Sequence, residues 1–320
     1  MGSRIVVALG GNALAPAGGA GTWEEMRRAM AATAAVLAEI ARDGTEMLLT
    51  HGNGPQVGAL LRGAELAAAE VPPRPLYALG AETQGQLGLL IAEETDAAFA
   101  RAGLPRRTVA WLSRMEVSRR DPEFRRPTKP IGAFYDDASA RRMRKQRGWT
   151  MVHDAARGGW RRVVPSPAPQ RWLEADLARA FFDRGLGKGW IPIVAGGGGV
   201  PVVRGHGSGW VGVDAVIDKD RASAVVARSV GARRFAILTD VPGIAVGFRT
   251  RWERWLGAIT EAELARWEKA GEFPPGTMGP KVRAGLEFLA GGGEEFLVTD
   301  IPSFRRALAG ETGTRVTRGP

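Results

Sequence analysis

Residues Ile191 to Asp220 read IPIVAGGGGVPVVRGHGSGWVGVDAVIDKD, and the rest of the chain converges on this stretch. Its opening run, Ile191-Pro-Ile-Val-Ala195, has the length and β-branching of a buried strand. Four glycines, Gly196 to Gly199, stop that run. Lacking Cβ atoms, they can take left-handed backbone conformations and let an anion approach their N–H groups. Asp218-Lys219-Asp220 then stands at the head of a helical stretch, Arg221 to Arg228. A strand, a glycine loop and a helix headed by charge would be one unit of an open α/β sheet. Taken alone, the stretch fits a flexible loop and a solvated helix start equally well, so the flanking segments decide.

Upstream, Arg4 to Leu9 is an apolar run ending in Gly10-Gly11-Asn12. Thr22 and Glu25 have capping-box spacing, and Met26, Met30, Thr33, Leu37 and Ile40 share one helical face closed by Gly44. Glu46 to Thr50 predicts a strand ending in His51-Gly52-Asn53-Gly54, followed by a helix with Pro55 at its first position. A helix over 80–102 and a strand over 107–117 come next. From 118 to 170 the character changes: arginine crowds the segment (Arg119, Arg120, Arg125, Arg126, Arg141, Arg142) and proline punctuates it. This predicts a small lobe inserted into a main domain formed by 1–117 and 171–320. Downstream, the pattern predicts a helix over 172–184 and a strand over 234–239 ending at Asp240. A capped helix starts at Thr260 and Glu263, and Pro280 opens another with Lys281 one residue inside. A strand over 296–299, a helix over 301–308 and an edge strand over 314–316 finish the pattern. The alternation is that of an α/β fold with a mainly parallel sheet.

The chain has 320 residues, 44% of them apolar, which suffices for a full α/β core. Without cysteine it has no disulfide, thiolate metal site or cysteine nucleophile. No apolar run reaches the ~20 residues that span a bilayer, and the amino terminus reads as a strand rather than a signal peptide. No membrane association and a cytoplasmic location are expected. The net charge of +10 suits phosphorylated small molecules as well as nucleic acid. The arginines are scattered and no nucleic-acid motif occurs, so no specific nucleic-acid partner is expected.

In open α/β sheets ligands bind beyond the carboxyl ends of the strands, where helix N-termini point. The Gly10 to Asn12, His51 to Gly54, Gly196 to Gly199, Thr239-Asp240 and Gly276 to Lys281 segments should therefore share one edge, with Lys219 and Lys281 upon it. Such an edge suits phosphoryl transfer, which needs positioning and positive charge more than a protein nucleophile. No Walker A loop is present. His51, His153 and His206 lack metal-ligand spacing, and no metal ligands can be named.

Ala8-Leu-Gly-Gly-Asn-Ala-Leu14, Thr50-His-Gly-Asn-Gly-Pro-Gln-Val-Gly58 and Arg126-Pro-Thr-Lys-Pro-Ile-Gly132 resemble carbamate kinases, as do Trp160 to Pro167, Val213 to Asp220 and Gly276 to Lys281. The resemblance runs in order along essentially the whole chain. It implies the amino acid kinase fold, a three-layer α/β/α sandwich with a protruding subdomain, usually as a homodimer. It also implies a reversible, Mg2+-dependent reaction, ADP plus carbamoyl phosphate giving ATP plus carbamate, in arginine, agmatine or purine breakdown. By the same resemblance, Lys129 arrives from the lobe as a lid cation, and Lys219 and Lys281 flank the transferring phosphoryl group. Asp220 orients the lysines, with Asp218 a second organiser or a magnesium-side group. Gly10, Gly11, Asn12, Gly52, Asn53 and Gly54 would bed carbamoyl phosphate. Gly196, Gly197, Thr239, Asp240, Met278 and Gly279 would join Lys219 and Lys281 around the ATP or ADP.

The chain departs from the family after Asp240-Val241. Ala245 stands where a tyrosine near the adenine is usual, which removes a stacking surface, and Arg249, Arg251, Trp252, Arg254 and Trp255 could supply substitute contacts. Two alternatives remain open from the residues: an enzyme of the same fold with a different carboxylate or phosphate acceptor, and a basic nucleic-acid-binding regulator that has lost catalysis.

Overall fold

The computed structural model describes residues 4–14, 19, 21–154, 158–205, 207, 209–274 and 276–319, the side chains of Asn12 and Ala133 aside. In chain order, β1 (Arg4–Leu9) leads through a 3-10 turn at Gly11–Ala13 to α1 (Trp23–Ala41), and β2 (Glu46–His51) to α2 (Gly54–Leu66) and the long α3 (Leu76–Arg101). Next come β3 (Arg107–Ala110), β4 (Arg114–Val117), β5 (Lys129–Tyr135), α4 (Asp137–Arg147), β6 (Met151–His153) and β7 (Trp160–Val164). β8 (Pro169–Trp172), α5 (Ala175–Asp183), β9 (Trp190–Ile193), β10 (Val200–Arg204) and β11 (Trp210–Gly212) precede α6 (Lys219–Ser229) and β12 (Arg234–Thr239). Then follow β13 (Ala245–Val246), β14 (Arg254–Trp255), β15 (Ala258–Thr260), α7 (Glu261–Lys269), α8 (Met278–Ala290), β16 (Glu295–Asp300), α9 (Phe304–Leu308) and β17 (Thr314–Thr317).

Eight strands form the central sheet in the order β15-β17-β16-β12-β1-β2-β9-β3. β17 alone runs antiparallel to its neighbour β16; the other pairs, including β15 with β17, are parallel. β1 is buried on both faces. Val6 and Ala8 enter one core with α5, α6, α7 and α8, while Ile5, Val7 and Leu9 enter the other with α1, α3 and α9. Helix coverage of both faces explains why this strand reads as an unbroken apolar run. Each such buried aliphatic side chain contributes about 1.5–3 kcal/mol. The result is the three-layer α/β/α sandwich expected from the sequence.

Local signals held where backbone chemistry is local. Thr22–Glu25 and Thr260–Glu263 both form complete capping boxes. The expected strand over 107–117 is instead two strands in two sheets. β3 edges the central sheet, whereas β4 joins a second sheet of order β11-β10-β4-β8. The break falls at Ser113, whose N–H donates to Gln84 Oε1 and whose carbonyl accepts from Val200 N. Trp172 ends β8 rather than opening a helix, and Pro75 caps α3 at Leu76, four residues before the expected start. α8 opens at Met278, ahead of Pro280. β17 lies between β15 and β16 rather than at the edge, because β15 adds outside it.

The arginine-rich segment carries a separate three-stranded antiparallel sheet, β5-β7-β6, with α4 beside it. Because β4 and β8 pair antiparallel, the chain leaves and re-enters this segment at adjacent strands.

Candidate active site

Parallel register places the carboxyl ends of β1, β2 and β12 side by side: Leu9 pairs with His51 and with Leu238. The loops that leave them fit together only through glycine. Gly10 N donates to Leu238 O at 2.9 Å, and a Cβ on Gly10 would stand 2.5 Å from that oxygen. A Cβ on Gly197, where φ is +64°, would lie 2.2 Å from Asn53 Nδ2, and one on Gly196 would lie 2.4 Å from His51 Nε2. The glycine loop after β9 is therefore buried against the loop after β2. Gly198 and Gly199 spend their N–H groups on Ala195 and Gly196 carbonyls.

Beneath these loops lies a polar network from α3. Asn53 Nδ2 donates to Thr83 Oγ1 at 2.8 Å, and Gln84 clasps both the N–H and the carbonyl of Ser113. Ser113 Oγ accepts from Ala195 N at 2.9 Å, where the chain turns with φ +49°. Sequence reasoning missed Thr83, Gln84 and Ser113. The available signal was two polar residues at helical spacing between Leu79 and Leu87, both core positions. His51 is enclosed, with Nδ1 against Gly52 O at 2.9 Å. Desolvation lowers its pKa to about 4, assisted by the Lys219 charge and opposed by the Gly52 hydrogen bond. It is neutral at pH 7 and donates from Nδ1.

The lysines converge on the first turn of α6. Asp218 is its N-cap: Oδ1 accepts from the N–H groups of Asp220 and Arg221, and Oδ2 takes Lys129 Nζ from β5 at 3.0 Å. Asp220, 3% exposed, divides its carboxylate between two cations, Lys219 Nζ on Oδ1 at 2.6 Å and Lys281 Nζ on Oδ2 at 3.1 Å. Lys219 reaches that position by running over Gly52, where a Cβ would meet Lys219 Cδ at 3.2 Å. Lys281 comes from α8, which packs along α6. Three ammonium groups that are 89 and 61 residues from their carboxylates, or adjacent to one, thus gather around two aspartates.

Burial raises the cost of ionising Asp220, but Lys219 and Lys281 outweigh it and hold its pKa well below the carboxylate range. Desolvation pulls Lys219 below the ordinary lysine value against the attraction of Asp220, with Lys281 adding to the fall. On Lys281 burial acts the same way, yet Asp220 outweighs it and raises the pKa. The 2.6 Å contact is of charge-assisted length, so Lys219 carries its proton. Three cations against two carboxylates leave one positive charge at the helix N-terminus, where anions are favoured.

The remaining expected residues line the same edge. Gly11 and Gly54 are exposed at the loops after β1 and β2, while the side chain of Asn12 lies outside the described residues, as does His206. Thr239 Oγ1 donates to the exposed Asp240 at 3.0 Å. Met278 begins α8, and Gly279 donates to Pro274 O at 2.9 Å with no room for a Cβ. His153 lies in the lobe against Trp160, remote in chemistry from this edge. Ala245 is buried in the β13–β14 hairpin opposite Trp255, and the aromatic surface there comes from Phe248 and Trp255, in edge contact at 6.1 Å. A cavity of about 660 Å³ beside Arg107 and Trp190 opens at the amino ends of β3 and β9, the opposite end of the sheet.

The amino acid kinase family matches residues 3–300. The carbamate kinase of Thermococcus kodakarensis is 43% identical over 318 residues, covering 98% of this chain and 99% of that protein. The carbamate kinase of Pyrococcus furiosus is 42% identical over 99% of both. Among solved structures, carbamate kinase from Giardia lamblia bound to AMP-PNP superposes with a TM-score of 0.89 at 35% identity, covering 99% of this chain and 98% of that one. The chain belongs to the amino acid kinase family and, within it, to the carbamate kinases.

Proposed function

We propose that this protein transfers a phosphoryl group between carbamoyl phosphate and ADP, giving ATP and carbamate. The observation that carries the proposal is the gathering of Lys129, Lys219 and Lys281 on Asp218 and Asp220 at the head of α6. A terminal oxygen of ADP forms the new P–O bond as the bond from phosphorus to the carbamoyl oxygen breaks, and carbamate leaves as an anion. No proton has to be removed from the nucleophile, so no general base is needed. What the transition state needs is fixed positive charge on the equatorial oxygens. Lys219 and Lys281 provide it from α6 and α8, and Lys129 from the lobe, which acts as a lid over 118–170. Asp220 keeps two of the cations apart and aimed without neutralising both.

Gly10, Gly11, Asn12, Gly52, Asn53 and Gly54 form the carbamoyl phosphate side; Gly196, Gly197, Thr239, Asp240, Met278 and Gly279 form the nucleotide side. In this assignment Gly196 and Gly197 act by letting the loops close on one another. Phe248 and Trp255 supply the aromatic face that Ala245 lacks. Magnesium fits the site as a companion of the nucleotide phosphates, because Asp240 offers an exposed carboxylate close enough for its charge to act on Lys281, and Mg2+ is commonly held by one or two carboxylates plus phosphate oxygens. Exposed Asp240 would hold it on the protein side, and the ion would neutralise phosphate charge. A homodimer, a cytoplasmic location and a place in arginine, agmatine or purine breakdown complete the proposal. Among the described residues no helix is long and apolar enough to cross a membrane.

The test is a substrate panel. ATP should form from ADP with carbamoyl phosphate and not with acetyl phosphate, and acetylglutamate should not be phosphorylated by ATP. Phosphorylation of acetylglutamate without ATP formation from carbamoyl phosphate would assign a different acceptor.

A further inference from the structure

Lys129 can reach Asp218 only if the sheet β5-β7-β6 keeps one attitude against the rest of the chain. Its seat is α2. There Gly58 faces Gly132 of β5 so closely that a Cβ on Gly58 would lie 3.1 Å from Gly132 Cα, and Val57, Leu79, Ile131 and Val164 close a small apolar cluster. Gly132, with φ +70°, is the fulcrum of the strand: Lys129 lies three residues to one side, about 10 Å away, and Tyr135 three residues to the other, past a shift in the β5–β7 register. At the Tyr135 end stands Glu65, two turns beyond Gly58 on α2.

Glu65 has 11% of its side chain exposed and is surrounded by lobe cations. Oε1 lies 4.0 Å from Arg162 Nη1 on β7, and Oε2 lies 3.8 Å from Arg62 Nη1 on its own helix. Tyr135 of β5 and Arg147 of α4 also stand close enough to favour the ionised carboxylate. Trp149 packs on Arg162 at 4.6 Å and meets Tyr135 edge-on at 6.0 Å, which fixes both partners from behind. Yet Oε1 is buried without a hydrogen bond. Desolvation accordingly raises the Glu65 pKa against the combined pull of Arg162, Arg147, Arg62 and Tyr135. A buried carboxylate oxygen about 1 Å short of hydrogen-bonding distance from a guanidinium favours any small tilt of the lobe that closes the gap.

The register carries such a tilt to the site. Arg162 stands opposite Ile131, and two residues on, Val164 stands opposite Lys129. We infer that Glu65 is a positioning residue of the phosphoryl-transfer reaction: paired with Arg162 of β7, it sets the tilt of the lobe about Gly58–Gly132 and so the reach of Lys129. A misplacement of 1 Å at a reacting group can cost about 10²-fold.

This inference rests on the proposed role of Lys129, so its test uses a double-mutant cycle and one readout that needs no turnover. E65Q, which keeps the side-chain volume, should lower kcat for ATP formation about 10-fold or more in the parent. In a K129A background the same change should cost less than about 2-fold, because the group it positions is gone. Independently, amide hydrogen exchange over β5 to β7 should quicken in E65Q while α1 and α6 exchange as in the parent. Equal losses in both backgrounds, or parental exchange in the lobe, overturn the inference. Should E65Q fold poorly, R162K, which keeps the charge and changes the reach toward Glu65, is measured by the same cycle and the same outcomes decide. A parent that makes no ATP refutes the proposed function, and the exchange comparison then still decides whether Glu65 holds the lobe.

Discussion

Asp220 is the residue on which the site's electrostatics turn, and Asp220→Asn is its sharpest perturbation. In the parent both carboxylate oxygens are engaged, by Lys219 at 2.6 Å and Lys281 at 3.1 Å, inside a pocket that leaves the residue 3% exposed. Asparagine keeps one acceptor and turns an NH2 group toward the second lysine. One charge-assisted hydrogen bond, worth about 1.5–3 kcal/mol, is lost, and two buried ammonium groups are left without their shared counter-charge. Stranding a partner of a buried ion pair costs about 3–5 kcal/mol, which for a chain of this length lowers Tm by about 5 °C. Desolvation already lowers the Lys219 pKa against the pull of Asp220, so losing that pull drives it further toward the neutral amine. Turnover, coupled from ATP to NADPH formation at saturating ADP and carbamoyl phosphate, should fall about 10²–10³-fold, the scale of losing one preorganised transition-state contact. An Asp220→Asn protein with turnover within about 3-fold of the parent and an unchanged Tm would falsify the claim that this carboxylate organises the lysines.

Other expectations follow from particular contacts. His51 has a folded pKa of about 4 against an ordinary value of 6.5, so the unfolded chain takes up the proton first as pH falls. Stability from this residue is complete above pH 6.5 and lost toward pH 4, about 2.5 kcal/mol by pH 4.5; urea melts of the parent should show that loss and those of His51→Gln should not. Gly197→Ala puts a methyl group against Asn53 at φ +64° and should destabilise the fold by about 3 kcal/mol. Gly85→Ala, with open space on the α3 surface, should stabilise it by about 0.5–1 kcal/mol in the same denaturation assay. Trp255→Ala should raise KM for ADP about 10-fold and leave KM for carbamoyl phosphate unchanged, as steady-state kinetics with each substrate varied would read.

The parts of this fold legible in the sequence are those decided within a few residues. Thr22 and Thr260 cap their helices because the partner glutamates lie three residues on, and β1 and β12 read as buried because Ile5 to Leu9 and Phe235 to Leu238 are unbroken apolar runs. The strands' shared carboxyl edge followed from the alternation alone. The division of 107–117 between two sheets did not, because it depends on Gln84 and Val200 capturing the Ser113 main chain from 29 and 87 residues away. The place of β17 was hidden for a related reason: a strand's own pattern says nothing of whether another strand adds outside it. At the site, Lys219 and Lys281 were found through their place on the strands' shared carboxyl edge, Lys129 through motif resemblance, and Asp218 and Asp220 through their place at a helix head. Which carboxylate each lysine would meet is a matter of tertiary packing, as is the role of the glycines. Gly196 and Gly197 looked like a bed for an anion; the coordinates press them against His51 and Asn53.

Lys129 separates the site's chemistry from its stability most cleanly, because its ammonium group arrives on the lobe with a third of its side chain exposed. Single-turnover and steady-state ATP formation by Lys129→Ala, at saturating carbamoyl phosphate and ADP, is therefore the decisive measurement. A 10²–10³-fold lower rate with parental Tm is the predicted result, on the scale of one lost charge contact to the transferring group. Parental rates from that variant would place the positive charge for the transfer somewhere other than the lobe and contradict the account.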